Sequence, residues 1–107
     1  LENRARFPLE VATAVRAVWP ADKPLFVRLS ATDWMDEQKR GFTLDEAVQV
    51  ARWLKEVGVD VLDVSSAGNS PESKPQYGRM YQVPFAERIR HEAGIPVMAV
   101  GGIAGMD

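Results

Sequence analysis

The chain has no cysteine, which excludes disulfides, thiolate metal sites and cysteine nucleophiles and fits a cytoplasmic setting. Its single histidine, His91, stands between Arg90 and Glu92 near the end of a helical stretch, where a cation suits the helix dipole. It reads as a solvated helix terminus rather than a catalyst, and no histidine stands ready to activate a serine. No apolar run approaches the roughly 18 residues that span a bilayer. Glu2-Asn3-Arg4-Ala5-Arg6 is charged where a signal peptide would become apolar. There is no arginine–lysine block, and 13 basic against 15 acidic residues give a formal net charge of −2, which argues against a nucleic-acid partner. No lysine closes a strand as a Schiff-base former would. No linker, low-complexity tract or second domain interrupts residues 1–107.

What is present is a period. Apolar runs at 25–30, 61–66 and 97–102 start 36 residues apart, each preceded by a helix-like stretch. A strand, a helix and two loops fill about that length, so the pattern predicts consecutive βα units in a parallel sheet. Residues 4–18 carry Phe7, Val11, Ala14, Val15 and Val18 at helical spacing, with Asn3 as N-cap and Pro8 near the first turn. Thr43 and Glu46 form a capping box for a helix over 44–57, striped by Leu44, Ala47, Val48, Ala51 and Leu54 and stopped at Gly58. Trp53 lies off that stripe and reads as packing. A third helix runs over 83–92, ends at Gly94, and Pro96 leads into the last strand. The stretches 31–41 and 67–81 read as loops. Three strands with three helices leave a parallel sheet with unpaired edges and poor cover, so the chain is expected to be part of a larger barrel.

In such folds chemistry collects at the C-terminal ends of the strands, where Arg28, Ser65-Ser66 and Gly101-Gly102 fall. A guanidinium within an apolar strand needs a partner if buried. Two remain open: an anionic or electron-rich ligand, or an ion pair with Asp63 on the neighbouring strand. Gly101-Gly102 would let backbone N–H groups approach a phosphate, or make a tight βα turn. Ser65 and Ser66 would add donors to that phosphate, or cap the strand end. Asp33 and Trp34, just past the first strand, either line a substrate channel or shape a turn. Tyr77-Gly78-Arg79-Met80-Tyr81 lies on the same side as Ser66.

Leu1-Glu2-Asn3-Arg4-Ala5-Arg6-Phe7 resembles the "SLENRARF" signature of the old yellow enzyme family of FMN-dependent NAD(P)H oxidoreductases. Further matches follow in register: Phe26 to Ala31, Gly58-Val59-Asp60, Asp63 to Ser66, Tyr81 to Ala86, Ile89-Arg90 and Ala99-Val100-Gly101. They fit the xenobiotic-reductase branch over essentially all 107 residues. The resemblance implies an α/β fold, a (β/α)8 barrel of which this chain supplies about strands five to seven. It implies FMN as cofactor, NADH or NADPH as reductant, and small activated alkenes as acceptors. The arginine matching Arg28 contacts the flavin's pyrimidine edge, the position matching Gly101, beside Gly102, donates to the FMN phosphate, and the serines matching Ser65 and Ser66 lie near the ribityl phosphate. The family's substrate-orienting histidine pair has no match here, so the expectation is no catalytic residue in this chain, no metal, and no activity of these residues alone. The remainder of the barrel is then the main partner, with a homo-oligomer of the parent an open case. The alternatives to this reading are a flavin-free phosphate-binding lyase or isomerase barrel, or a non-catalytic α/β module.

Overall fold

The computed structural model describes residues 1–35 and 40–105; residues 36–39 of the expected first loop lie outside them. The order is α1 (Glu2–Val18), β1 (Phe26–Ser30), α2 (Leu44–Glu56), β2 (Val61–Ser65), α3 (Val83–Ala93) and β3 (Val97–Ala99). The strands form one parallel sheet in the order β1-β2-β3. The architecture is α/β, as the 36-residue period predicts, and has the form of three successive units of a (β/α)8 barrel.

Alternation along the strands sorts the two faces. Leu62 and Val64 of β2 are fully buried, and the register places Val27 and Leu29 on one side of them and Val97 and Ala99 on the other. That face packs against α2, through Ala47, Val48, Ala51 and Leu54, and α3, through Ala86 and Ile89. The opposite face carries Phe26, Arg28 and Ser30 beside Val61, Asp63 and Ser65, with Met98 next to Asp63. Nothing in the described residues packs over it as a layer, and Phe26 and Met98 are exposed.

The helices follow local rules. The Thr43 hydroxyl accepts from the Glu46 N–H while the Glu46 carboxylate accepts from the Thr43 N–H, the reciprocal box expected from sequence. Gly94 ends α3 in the left-handed region with φ 69°, where glycine carries no Cβ penalty. Arg88 on α3 pairs with Asp45 on α2 and with Glu92 one turn on, tying the two helices together.

Two expectations need correction, the N-cap of α1 and the length of β3, and the apolar side of α1 finds its place. Helix α1 begins at Glu2 with Leu1, not Asn3, as its N-cap. Pro8 therefore sits beyond the first turn, where it leaves the Arg4 carbonyl without its usual i+4 donor. The Phe7-Val11-Val15-Val18 stripe does not enter the core; all four are exposed, and Ala5 and Ala12 are buried instead. Small residues let a helix approach its neighbour closely, and the larger apolar side chains turn toward the unpaired edge of β1. There Phe7, Val11, Val15, Phe26 and Leu29 line an open groove of about 900 Å³. Finally, β3 has only three residues, because the backbone leaves the ladder before Gly101 (φ 106°) and Gly102 (φ 66°).

At the N-terminal rim Arg16 gathers several loops. Its guanidinium donates to Asp60 Oδ2 at 3.1 Å and to the carbonyls of Gly58, Trp19, Pro20 and Lys23. The stem of Arg16 lies where a side chain at Gly58 would go: a Cβ there falls 2.8 Å from Cδ and 2.9 Å from Cγ, at φ +102°. Gly58→Ala therefore combines backbone strain with displacement of a clamped arginine. It is expected to lower the unfolding free energy by about 2 kcal/mol, read from the urea midpoint; a loss below about 0.5 kcal/mol would show that the stem yields freely.

Candidate functional site

The C-terminal strand ends meet on one side of the molecule. After β1 the chain continues beside β2, with the Ala31 N–H donating to the Ser65 carbonyl and the Ala67 N–H to the Thr32 carbonyl. The loop before α3 returns to β3, where the Met80 N–H donates to the Gly102 carbonyl at 2.9 Å. Among the described residues, the non-glycine positions with positive φ, Trp34, Ala67 and Met80, all lie in these connections. Conformations that L-residues rarely adopt concentrate where the surrounding structure over-determines them, and functional sites are such places.

Arg28 lies on the face that the helices leave open. Of the two partners its position allows, the structure supplies Asp63: Nε and Nη2 both approach Oδ2, at 2.8 and 2.7 Å. The register makes this a direct cross-strand pair. The expected burial of the guanidinium is corrected, since its side chain is 65% exposed while that of Asp63 is 15% exposed. Among the described residues no layer packs over it, so the ion pair leaves much of the cation available to a ligand lying over the sheet.

Ser66 is committed. The Trp34 indole Nε1–H donates to Ser66 Oγ at 2.8 Å, and Ser66 Oγ donates to Gln82 Oε1 at 2.6 Å. An indole N–H can only donate, so the serine accepts there and its single proton goes to the amide. Only the Ser66 backbone remains to meet an anion. Ser65 keeps its side chain on the open face, beside Ser30.

Asp33 closes its own loop. Oδ2 accepts from the Phe42 N–H at 2.8 Å, Oδ1 accepts from Asn69 at 2.9 Å, and the Asp33 N–H donates to the Phe42 carbonyl. Trp34 packs edge-on against Phe85 with centroids 5.3 Å apart. Both side chains thus have structural partners at the rim of the open face. His91 is exposed in the last turn of α3, away from these strand ends.

The glycine pair fits tightly against the loop before α3. A Cβ at Gly101 would lie 2.6 Å from Gln82 Nε2 and 2.8 Å from Tyr81 Cε1; one at Gly102 would lie 2.5 Å from the Gly78 carbonyl oxygen. Among the described residues, neither glycine N–H donates to a backbone carbonyl. The pair therefore makes a tight turn and at the same time presents uncommitted donors. Gln82 was not foreseen. It is 3% exposed and links Ser66 to the Val100 carbonyl through Nε2 at 2.8 Å. In sequence it is a polar residue ahead of a helix, with nothing to mark its side chain as buried.

The chain has known relatives over nearly its whole length. The profile of the NADH:flavin oxidoreductase / NADH oxidase family matches residues 1–107. The chain is 51% identical over 100 residues to the NADPH dehydrogenase of Geobacillus thermodenitrificans, covering 94% of this chain and 28% of that protein. It is 44% identical over 101 residues to the NADPH dehydrogenase of Halalkalibacterium halodurans, again 94% and 28%. To that of Bacillus subtilis it is 43% identical over 102 residues, 95% and 28%. The chain thus spans little more than a quarter of the relatives it matches. Enzymes of this group use FMN with NADH or NADPH as reductant. By sequence from end to end the chain belongs to the NADH:flavin oxidoreductase / NADH oxidase family.

Proposed function

We propose that residues 1–107 are the middle of an FMN-binding (β/α)8 barrel, in an NAD(P)H oxidoreductase that reduces activated alkenes and similar electron-poor acceptors. The observation that carries this reading is the placement of Arg28: a cation at the middle of β1, on the uncovered face of the sheet, with most of its surface free. In a closed barrel that face is the interior. The groove along the edge of β1 and the exposed apolar stripe of α1 would be covered by preceding barrel elements, which removes two features costly to leave in water.

The donor set suits FMN. Arg28 lies two strands across the sheet from Met98, about 10 Å, and Gly101 follows Met98 by three residues. A long arginine side chain and an extended ribityl chain together cover such a span. When bound, the flavin provides the electron-accepting ring that takes hydride from the nicotinamide and passes it on. Arg28 would hold its charge against the ring's pyrimidine edge, where negative charge grows during reduction. The Gly101 and Gly102 N–H groups would donate to phosphate oxygens, with Ser65 near the ribityl chain. Asp63 keeps the guanidinium oriented. None of these groups transfers a proton, so these residues would bind and polarise while other parts of the protein position the acceptor.

The test is direct. The full-length enzyme that carries this chain is expected to purify yellow, to release FMN on denaturation, to bleach anaerobically with NADPH, and to regain its colour with 2-cyclohexenone. A colourless protein that takes up no FMN would overturn the flavin reading. Bleaching by NADPH without reoxidation by any enone would overturn the alkene acceptor alone.

A further inference from the structure

The amide of Gln82 has a geometric consequence for the strand end it touches. The side chain is almost fully buried, although Gln82 stands at the N-cap of α3, where its amide makes no cap bond. It turns away from the helix and bridges two strand ends, with Oε1 accepting from Ser66 and Nε2 donating to the Val100 carbonyl. The orientation of the amide is forced. The Val100 carbonyl can only accept, so the NH2 end of the amide has to face it, and Oε1 is left for the Ser66 hydroxyl. Ser66 Oγ in turn accepts from the Trp34 indole N–H.

The carbonyl of Val100 and the N–H of Gly101 belong to one peptide unit. That unit is planar and, like every peptide bond in the described chain, trans, so its C=O and N–H point in opposite directions. Holding the carbonyl against Gln82 therefore aims the Gly101 N–H away from Gln82. The glycine is matched to this arrangement, because Nε2 occupies the space that a Cβ at position 101 would need, 2.6 Å away. Without the amide, the peptide on a left-handed glycine at φ 106° is free to rotate, glycine having no Cβ to resist it.

We propose that Gln82 is a positioning residue for anion binding. Through the relay Trp34–Ser66–Gln82 it sets the Val100–Gly101 peptide plane and so directs the Gly101 N–H at the cofactor phosphate. This rests on the reading of Gly101 as a phosphate donor given above. It also assigns Ser66 a role inside the relay, in place of a hydroxyl contact to the phosphate.

The experiment compares FMN with riboflavin, which carries the same ring but no phosphate. Dissociation constants for both are measured by flavin fluorescence quenching on the apo form of the full-length enzyme, for the wild type, Gln82→Met and Gln82→Ala. Methionine keeps the volume without donor or acceptor; alanine admits water, so one variant serves if the other does not fold. FMN affinity is expected to fall about tenfold, the scale of one hydrogen bond to a charged group, with riboflavin affinity within about twofold. Equal weakening of both ligands would mean a merely structural role, and no weakening would mean no role; either overturns the proposal while the phosphate reading stands. A wild type that binds FMN no more tightly than riboflavin overturns the phosphate reading and this proposal with it.

Discussion

Replacing Arg28 by leucine in the full-length enzyme is expected to slow reduction of the flavin by NADPH about 10²- to 10³-fold, in anaerobic stopped-flow traces of flavin absorbance. The reason is electrostatic. A fixed cation beside the position where negative charge develops stabilises the transition state without reorganisation, and removing one such group costs about 3–4 kcal/mol. The competing explanation is that Arg28 only neutralises Asp63, whose side chain is the more buried of the two. Asp63→Asn separates them, since it abolishes the ion pair and leaves the guanidinium in place. If Arg28 serves the ion pair alone, the two variants will have similar rates, and the double variant will add little to either. If Arg28 faces the ring, Asp63→Asn will stay within about tenfold of wild type, the range of a lost orienting partner, while Arg28→Leu falls far below it. Equal rates in the two single variants would end the cofactor role of this arginine.

The largest loss of stability is expected at the opposite rim. Arg16→Met should lower the unfolding free energy by about 3 kcal/mol, measured as a shift in urea midpoint at constant slope. Hydrogen bonds to a charged group contribute about 1.5–3 kcal/mol each when their partners are shielded, and the Arg16 side chain is only 20% exposed. Its fork joins the end of α1, the turn before β1 and the turn before β2. Asp60 completes the cluster by accepting from the Leu25 N–H at 2.8 Å with the same oxygen that faces Arg16. Three segments distant in sequence thus share one side chain. Arg16→Lys is not expected to restore the loss, because an ammonium cannot span acceptors arranged around a planar fork. A lysine variant as stable as wild type would reduce the cluster to a point-charge effect. Flavin kinetics should change little in either variant, since the cluster lies at the strands' N-terminal ends, where barrel residues serve stability.

The helices and strands were legible because their signals are local. A capping box at Thr43 and Glu46, a glycine after each of α2 and α3, and a constant spacing between apolar runs depend on residues within a few positions of one another. The ion pair of Arg28 with Asp63 was legible as one of two choices, since a 36-residue period places the two runs in adjacent strands. The orientation of α1 was not. Its stripe has helical periodicity, but periodicity states only that a helix has an apolar side, not what meets it. Here Ala5 and Ala12 meet the core and the larger residues face the groove along β1.

From sequence alone came the α/β class, the parallel order of units, the family, and the residue types at the strand ends. The class and the order of units follow from propensity and spacing, and the family from the resemblance of its motifs, all of which the chain carries without reference to its neighbours in space. Only the tertiary structure decided that the Ser66 proton belongs to Gln82, that both Asp33 oxygens hold a loop, and that the two glycines are packed against residues 78–82. Each of those depends on which donors and acceptors the fold brings within about 3 Å, a matter of through-space register that no linear pattern records.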